Sequence, residues 1–138
     1  MPDATVFLGG GGLCGNCATN HRDGQMWSPP YLFTASGARA NRPIISGISA
    51  GSVKVNALFS ITTNRAVSGF SMVRYGSNTH TVNTDQRRIP LQALATSGFT
   101  YTLRVPGDAG IAVPGPYMVF AMDSNGVPTV AKTITVFV

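Results

Sequence analysis

The 138-residue sequence predicts an all-β chain whose main body is a β-sandwich of immunoglobulin type. Three observations lead there. About seven short apolar segments alternate with polar positions at a period of two. Turn residues recur roughly every 8–12 residues. No stretch carries the three-to-four spacing of an amphipathic helix, so helix content is expected to be close to nil. The apolar share of 43% with only 11% charged residues fits a buried β core under hydroxyl and amide surfaces, and excludes a disordered chain.

The elements follow in order. Ala4 to Leu8 is a short apolar run that stops at Gly9-Gly10-Gly11-Gly12. A strand ending in glycines suits close backbone approach within a packed set of sheets. It does not suit a phosphate cradle, because no Lys-Ser/Thr follows the last glycine and no helix opens there. Thr19 to Gly24 is polar loop, Gln25-Met26-Trp27 a short strand, and Ser28-Pro29-Pro30 breaks it before the aromatic Tyr31-Leu32-Phe33. Thr34 to Asn41 is small and polar, and the boundary between two units is expected around it. Ile44 to Ile48 is a strand. Val53, Val55, Phe59 and Ile61 alternate through Ser52 to Thr63, which predicts one buried face along a single strand. Gly69 to Tyr75 and Ile89-Pro90-Leu91 are strands on either side of a polar stretch. Tyr101, Leu103 and Val105 alternate again. Tyr117 to Met122 is apolar on both faces, as a central strand is. Asp123-Ser124-Asn125-Gly126 is a turn, and Val130 to Val138 closes the chain with Thr133 and Thr135 facing out.

Charge and length exclude several roles. The net charge is +5, yet the basic residues are scattered, only Arg87-Arg88 are adjacent, and no basic stripe carries interleaved aromatics. Nucleic acid is therefore not an expected partner. No apolar run is long enough to cross a bilayer, so no membrane role is expected, and no basic-then-apolar start marks a secretion signal. Cys14-Gly15-Asn16-Cys17 allows three readings: a redox pair, half of a zinc site, or a short local disulfide. The first wants a thioredoxin-type turn after it and the second two more ligands. The third is favoured, and it implies an oxidising compartment.

The stretch Tyr75 to Pro90 is where chemistry is most concentrated. It holds His80, one of two histidines, between Thr79 and Thr81 at the tip of a polar finger. Asp85 is expected to pair with an arginine or to cap a turn, with Gln86, Arg87 and Arg88 beside it, so that the finger keeps its shape. His80 reads either as a metal ligand offered to a partner surface or as a solvated loop histidine. His21, with Asp23 nearby, reads as a loop histidine bonded to its neighbours. Two histidines cannot complete a tight copper or zinc site, which takes three or four protein ligands. Neither a carboxylate pair at acid/base spacing nor a Ser-His-Asp set is present.

Four segments together carry a resemblance: GGGGLCGNCATNH (Gly9 to His21), PPYLF (Pro29 to Phe33), YGSNTHTVNTDQRRIPL (Tyr75 to Leu91) and PGPYMVFAMDSNGVPTVA (Pro114 to Ala131). They resemble the C-terminal end of the copper-radical oxidases, the family of galactose oxidase and glyoxal oxidase, and the likeness covers essentially the whole chain. The resemblance implies that residues 1–33 are the end of the last blade of a kelch propeller. Residues 34–138 are then an early-set immunoglobulin-like sandwich. It also implies that a hairpin of the sandwich enters the propeller channel and gives one histidine to copper, matching His80. Tyr75, Thr79, Thr81, Asp85, Gln86, Arg87 and Arg88 would support that finger, and Cys14 and Cys17 would match the family's short disulfide.

For the whole enzyme the resemblance implies oxidation of a primary alcohol or aldehyde, carbohydrates included, by O₂ to give hydrogen peroxide. Copper acts there with a radical on a tyrosine thioether-linked to a cysteine. The family's second histidine, axial tyrosine and cross-linked tyrosine belong to the propeller, and no Tyr-His pair occurs in these residues. The expectation is an oxidase part that needs the kelch propeller of its parent protein, or a self-associated copy, and is inactive alone. Secretion is expected by resemblance. A free-standing module that binds carbohydrate or protein is the alternative.

Overall fold

Alternation along the strands sorts the apolar side chains into one interior between two sheets. The computed structural model describes residues 1–11, 21, 23–80 and 82–138, and the immunoglobulin-type sandwich fills residues from about Pro43 onward. The strands are β1 (Val6–Gly9), β2 (Gly24–Trp27), β3 (Ile45–Ile48), β4 (Ser52–Lys54), β5 (Leu58–Thr63), β6 (Gly69–Arg74) and β7 (Asn78–Thr79). They continue as β8 (Val82–Asn83), β9 (Arg88–Leu91), β10 (Ala95–Ser97), β11 (Thr100–Arg104), β12 (Gly115–Met122) and β13 (Lys132–Phe137). Among the described residues the helical structure is one 3-10 turn, Pro30–Leu32, where prolines pre-set the backbone for a tight turn.

One sheet runs β10-β11-β5-β3 and the other β4-β13-β12-β6-β9. Neighbours are antiparallel except β13 and β4, which pair in parallel from Thr135↔Ser52 to Phe137↔Lys54. Phe59, Ile61, Tyr101 and Leu103 of the first sheet face Met72, Tyr117, Val119 and Ile134 of the second, all of them buried. β12 is the central strand of its sheet and is buried on both faces from Tyr117 to Ala121, as its unbroken apolar run requires. Thr133 and Thr135 face solvent while Ile134 and Val136 face in.

The run Ser52 to Thr63 is not one strand. Asn56 sits in the left-handed region at φ +68°, and Ala57 N–H donates to Lys54 O at 3.0 Å. The chain turns there, so β4 joins one sheet and β5 the other. Val53, Phe59 and Ile61 are nonetheless all in the core, with Val55 packed against it. The period of two survives because both sheets face the same interior. The edge strand β10 carries no alternation that would have announced it, since all three of its residues are exposed.

The N-terminal segment lies outside the sandwich and is tied to it by an arginine. β1 and β2 form a separate two-stranded ribbon, paired from Val6↔Trp27 to Gly9↔Gly24. Arg42 donates to three main-chain carbonyls, those of Asp3 (2.6 Å), Pro128 (2.7 Å) and Thr129 (2.6 Å). Partial burial pushes its pKa down, with the negative charge of Asp3 opposing that shift. Ala131 N–H adds a backbone bond to Pro2 O at 2.8 Å.

Two outcomes are expected. Leu103 is fully buried, so Leu103→Ala should lower the unfolding free energy in urea by about 2–5 kcal/mol; a loss below about 1 kcal/mol would mean that the interior collapses around the void. Asp3 is the second case. Thr5 donates to Asp3 Oδ1 from its hydroxyl (2.7 Å) and its amide (3.0 Å), and the hydroxyl bond leads in holding the carboxyl below its ordinary 3.8. A carboxyl depressed in the folded state stabilises above its unfolded pKa, and that contribution fades as pH falls through the folded value. The Thr5 amide resonance should therefore shift on acidification below 3.8, and Asp3→Asn should abolish the shift. An unchanged titration in Asp3→Asn would place its origin elsewhere.

Candidate functional site

The finger rises from the edge pair β6 and β9, whose ladder runs from Phe70↔Leu91 to Val73↔Arg88. Arg74 N–H donates to Arg87 O at 2.9 Å at its root. Above that the two arms leave the sheet, then rejoin as the small hairpin β7–β8, with Asn78↔Asn83 and Thr79↔Val82 opposite each other. His80 occupies the tip at φ +51°, a left-handed conformation that a two-residue hairpin turn requires. Its Nδ1 lies 2.7 Å from the Thr79 hydroxyl. The ring is exposed.

Between root and tip the neck is closed by side chains. Asn83 Oδ1 accepts the amide N–H groups of Ser77 (3.3 Å) and Asp85 (3.1 Å), while Thr84 N–H donates to Ser77 O at 3.1 Å. Gly76 allows this, because a Cβ there would lie 2.7 Å from the Asn83 amide nitrogen. Asp85 pairs with an arginine as expected, and the partner is Arg74, with Nε at 3.2 Å. The same guanidinium donates through Nη1 to Val113 O and Pro114 O, both at 2.8 Å. It also lies 5.6 Å from the centre of the Tyr117 ring. Arg87 reaches the same connection, giving its Nη1 to Gly110 O (2.8 Å) and Ile111 O (2.9 Å).

The other expected support residues divide. The Tyr75 hydroxyl meets Thr133 Oγ1 at 2.8 Å and steadies the incoming arm. Gln86 is exposed beside the root. Arg88 points away from the finger into a 370 Å³ cavity over the outer face of β6 and β12, with Val73, Met118 and Phe120. Thr81, Cys14 and Cys17 lie outside the described residues. His21 and Asp23, both exposed, approach each other to 3.9 Å.

Arg74, Asn83, Gly76 and Gly115 were not singled out from sequence. Two signals were available: Arg74 ends a strand whose other inward positions are apolar, and Pro114-Gly115 announces an unusual backbone.

As a metal centre, the arrangement offers one donor. Among the described residues there is no group of three or more His, Cys, Asp or Glu able to hold a metal ion. An imidazole steadied at one nitrogen suits copper as one ligand of a shared site, and copper needs several. The β1–β2 ribbon is a second unfinished surface. Val6, Phe7, Leu8, Met26 and Trp27 are all more than half exposed on it, where an isolated two-stranded ribbon gains little stability in water.

Comparison with known proteins fits this geometry. Residues 42–136 match the family described as galactose oxidase-like, early set domain. The chain is 52% identical over 136 residues to a galactose oxidase of Gibberella zeae, covering 99% of the chain and 20% of that relative. It superposes on a fungal alcohol oxidase of the AA5 family, solved in complex with copper, with a TM-score of 0.95 at 51% identity. The match covers 100% of the chain and 30% of that structure. The chain thus spans about a fifth of the length of the curated relative it matches.

Gly115 provides a test of the root. Its φ is +137°, and a Cβ would come within 2.7 Å of Arg74 Nη1. Gly115→Ala is expected to destabilise the chain by about 1–3 kcal/mol and to shift the Arg74 guanidinium resonances. Unchanged stability and resonances would show that the root can move aside.

Proposed function

Because the chain belongs to the galactose oxidase-like, early set domain family, we propose that it is the C-terminal portion of a copper-radical oxidase and that His80 is a copper ligand. In this reading residues 1–33 end the last blade of a kelch propeller and residues 34–138 form the early-set sandwich. The single observation that carries the reading is the tip geometry: an exposed histidine in a left-handed turn, held at Nδ1 by the neighbouring Thr79 hydroxyl. A ligating histidine takes such support on its other nitrogen, which fixes tautomer and ring orientation. In the tautomer whose Nδ1–H donates to Thr79, Nε2 would be the nitrogen that binds the metal.

Copper, when bound with the propeller's ligands, would supply the oxidation of a primary alcohol or aldehyde by O₂, with hydrogen peroxide as the second product. This chain's part is to deliver one imidazole and to hold it still. The remaining ligands and the substrate contacts come from the propeller of the parent protein or from a self-associated copy. The exposed apolar side chains on both faces of the β1–β2 ribbon support that assignment, since neighbouring propeller blades would cover them. Secretion, and a disulfide between Cys14 and Cys17, belong to the same reading.

The test compares the chain alone with the parent polypeptide that carries the propeller. With copper, the parent should release hydrogen peroxide from primary alcohols and the chain alone should release none. His80→Ala in the parent should cut turnover by at least about a hundredfold, since even residues that only support a metal ligand carry 10–100-fold effects. Full turnover in the His80→Ala parent, or peroxide from the copper-loaded chain alone, would sink the proposal.

A further inference from the structure

The finger is polar from Tyr75 to Arg87 apart from Val82, which is itself exposed, so no apolar cluster orders it. Its order has to come from polar contacts, those of the Asn83 neck and those at its root. There Arg74 and Arg87, one from each arm, give a single nitrogen each to a pair of carbonyls on one connection: Val113 and Pro114 for Arg74, Gly110 and Ile111 for Arg87.

That connection is itself fixed. Gly110 N–H donates to Asp108 Oδ1 at 2.7 Å, and Ile111 and Ala112 N–H both donate to Asp108 O. The turn leaves the carbonyls of Gly110 and Ile111 on its outer side. Ala112 is fully buried in the core. The Tyr117 hydroxyl, from the centre of the second sheet, donates to Val113 O at 2.8 Å. Val113 O thus takes one bond from the core and one from the finger.

We propose that Arg74 and Arg87 are positioning residues, a paired guanidinium clamp that orders the finger before any metal or partner domain arrives. The inference rests on the reading of His80 as the working tip. Bonds from a charged donor are stronger than neutral ones, and both clamps lie on one short connection. The arms are therefore fixed in tilt as well as in spacing. The Asp85 contact on Arg74 Nε adds a tie from the opposite arm. Gly115 is part of the device, since only a residue without a Cβ lets Arg74 approach the Pro114 carbonyl.

The experiment is amide hydrogen exchange on the metal-free, ¹⁵N-labelled chain, read at Ser77, Thr84 and Asp85 in the neck and at Val119 and Phe120 in β12. Arg87→Gln should speed neck exchange by about tenfold or more, the factor expected from losing one charge-assisted hydrogen bond, and leave β12 unchanged. Arg87→Lys should recover most of the protection, because one ammonium can bridge both carbonyls as Nη1 does. Arg74→Lys, which keeps the charge beside Asp85, should loosen the neck less than Arg87→Gln. Unchanged neck exchange in Arg87→Gln, or no recovery in Arg87→Lys, would overturn the clamp. Substoichiometric Cu(II) added to the unsubstituted chain separates the two ideas. Broadening centred on His80 supports the ligand reading, and broadening elsewhere overturns that reading while the exchange data still judge the clamp.

Discussion

The Arg74 guanidinium is the contact through which core and finger depend on each other. Its side chain is 14% exposed and its ion-pair partner Asp85 is 41% exposed. The charge pair therefore sits near the surface, where such pairs contribute on the order of 1 kcal/mol or less. The two carbonyl bonds outweigh it. Each is a bond from a charged donor, a type worth roughly 1.5–3 kcal/mol; removing Arg74 would take this donor from Pro114 O and leave Val113 O only the bond from the Tyr117 hydroxyl. The left-handed Gly115, the Tyr117 hydroxyl and the Asp108 turn are all arranged around these carbonyls. The sandwich thus presents a row of main-chain oxygens at one edge, and the finger grows from the donors that meet them.

Arg42 repeats the same chemistry at the other end of the molecule. Three carbonyls from two distant segments converge on one guanidinium. Neutral acceptors leave an arginine its charge without requiring a buried carboxylate, so the desolvation that lowers its pKa stays tolerable. This suits a chain with 11% charged residues. With few acids available, arginines here are tied mainly to the main chain.

Much of the fold was legible because alternation is a direct consequence of the pleat. Ile134 and Val136 inside with Thr133 and Thr135 outside, or the double-sided burial of β12, need nothing but side-chain polarity. The same rule could not reveal that Val53 and Phe59 belong to different sheets, because the break depends on one backbone conformation at Asn56 and leaves the inward faces in phase. The site was legible in outline only. His80 and Asp85 stand out as rare residues on a polar stretch. The partner of Asp85 is not the arginine pair that follows it but Arg74, eleven residues earlier on the strand that enters the finger. The carbonyls that hold Arg74 and Arg87 have no side-chain signature at all. Main-chain acceptors are invisible to sequence patterns, and a site built on them is found only when the turn at Gly110 to Gly115 is placed beside the finger root.

Conformational entropy decides why the root has to be this rigid. Fixing one residue's backbone costs about 1–2 kcal/mol. The hairpin from Asn78 to Asn83 is about six residues long, so ordering it from a loose state would cost on the order of 6–12 kcal/mol. One imidazole meeting a metal cannot offset that and still bind. A finger closed in advance by Asn83 and anchored by two arginines has already met most of the cost during folding, where the sandwich core supplies the driving force. In the proposed role, folding stability and delivery of the His80 imidazole would draw on the same contacts. The loss of a carbonyl bond at the root would be felt as poorer presentation of His80 long before it was felt as unfolding of the core.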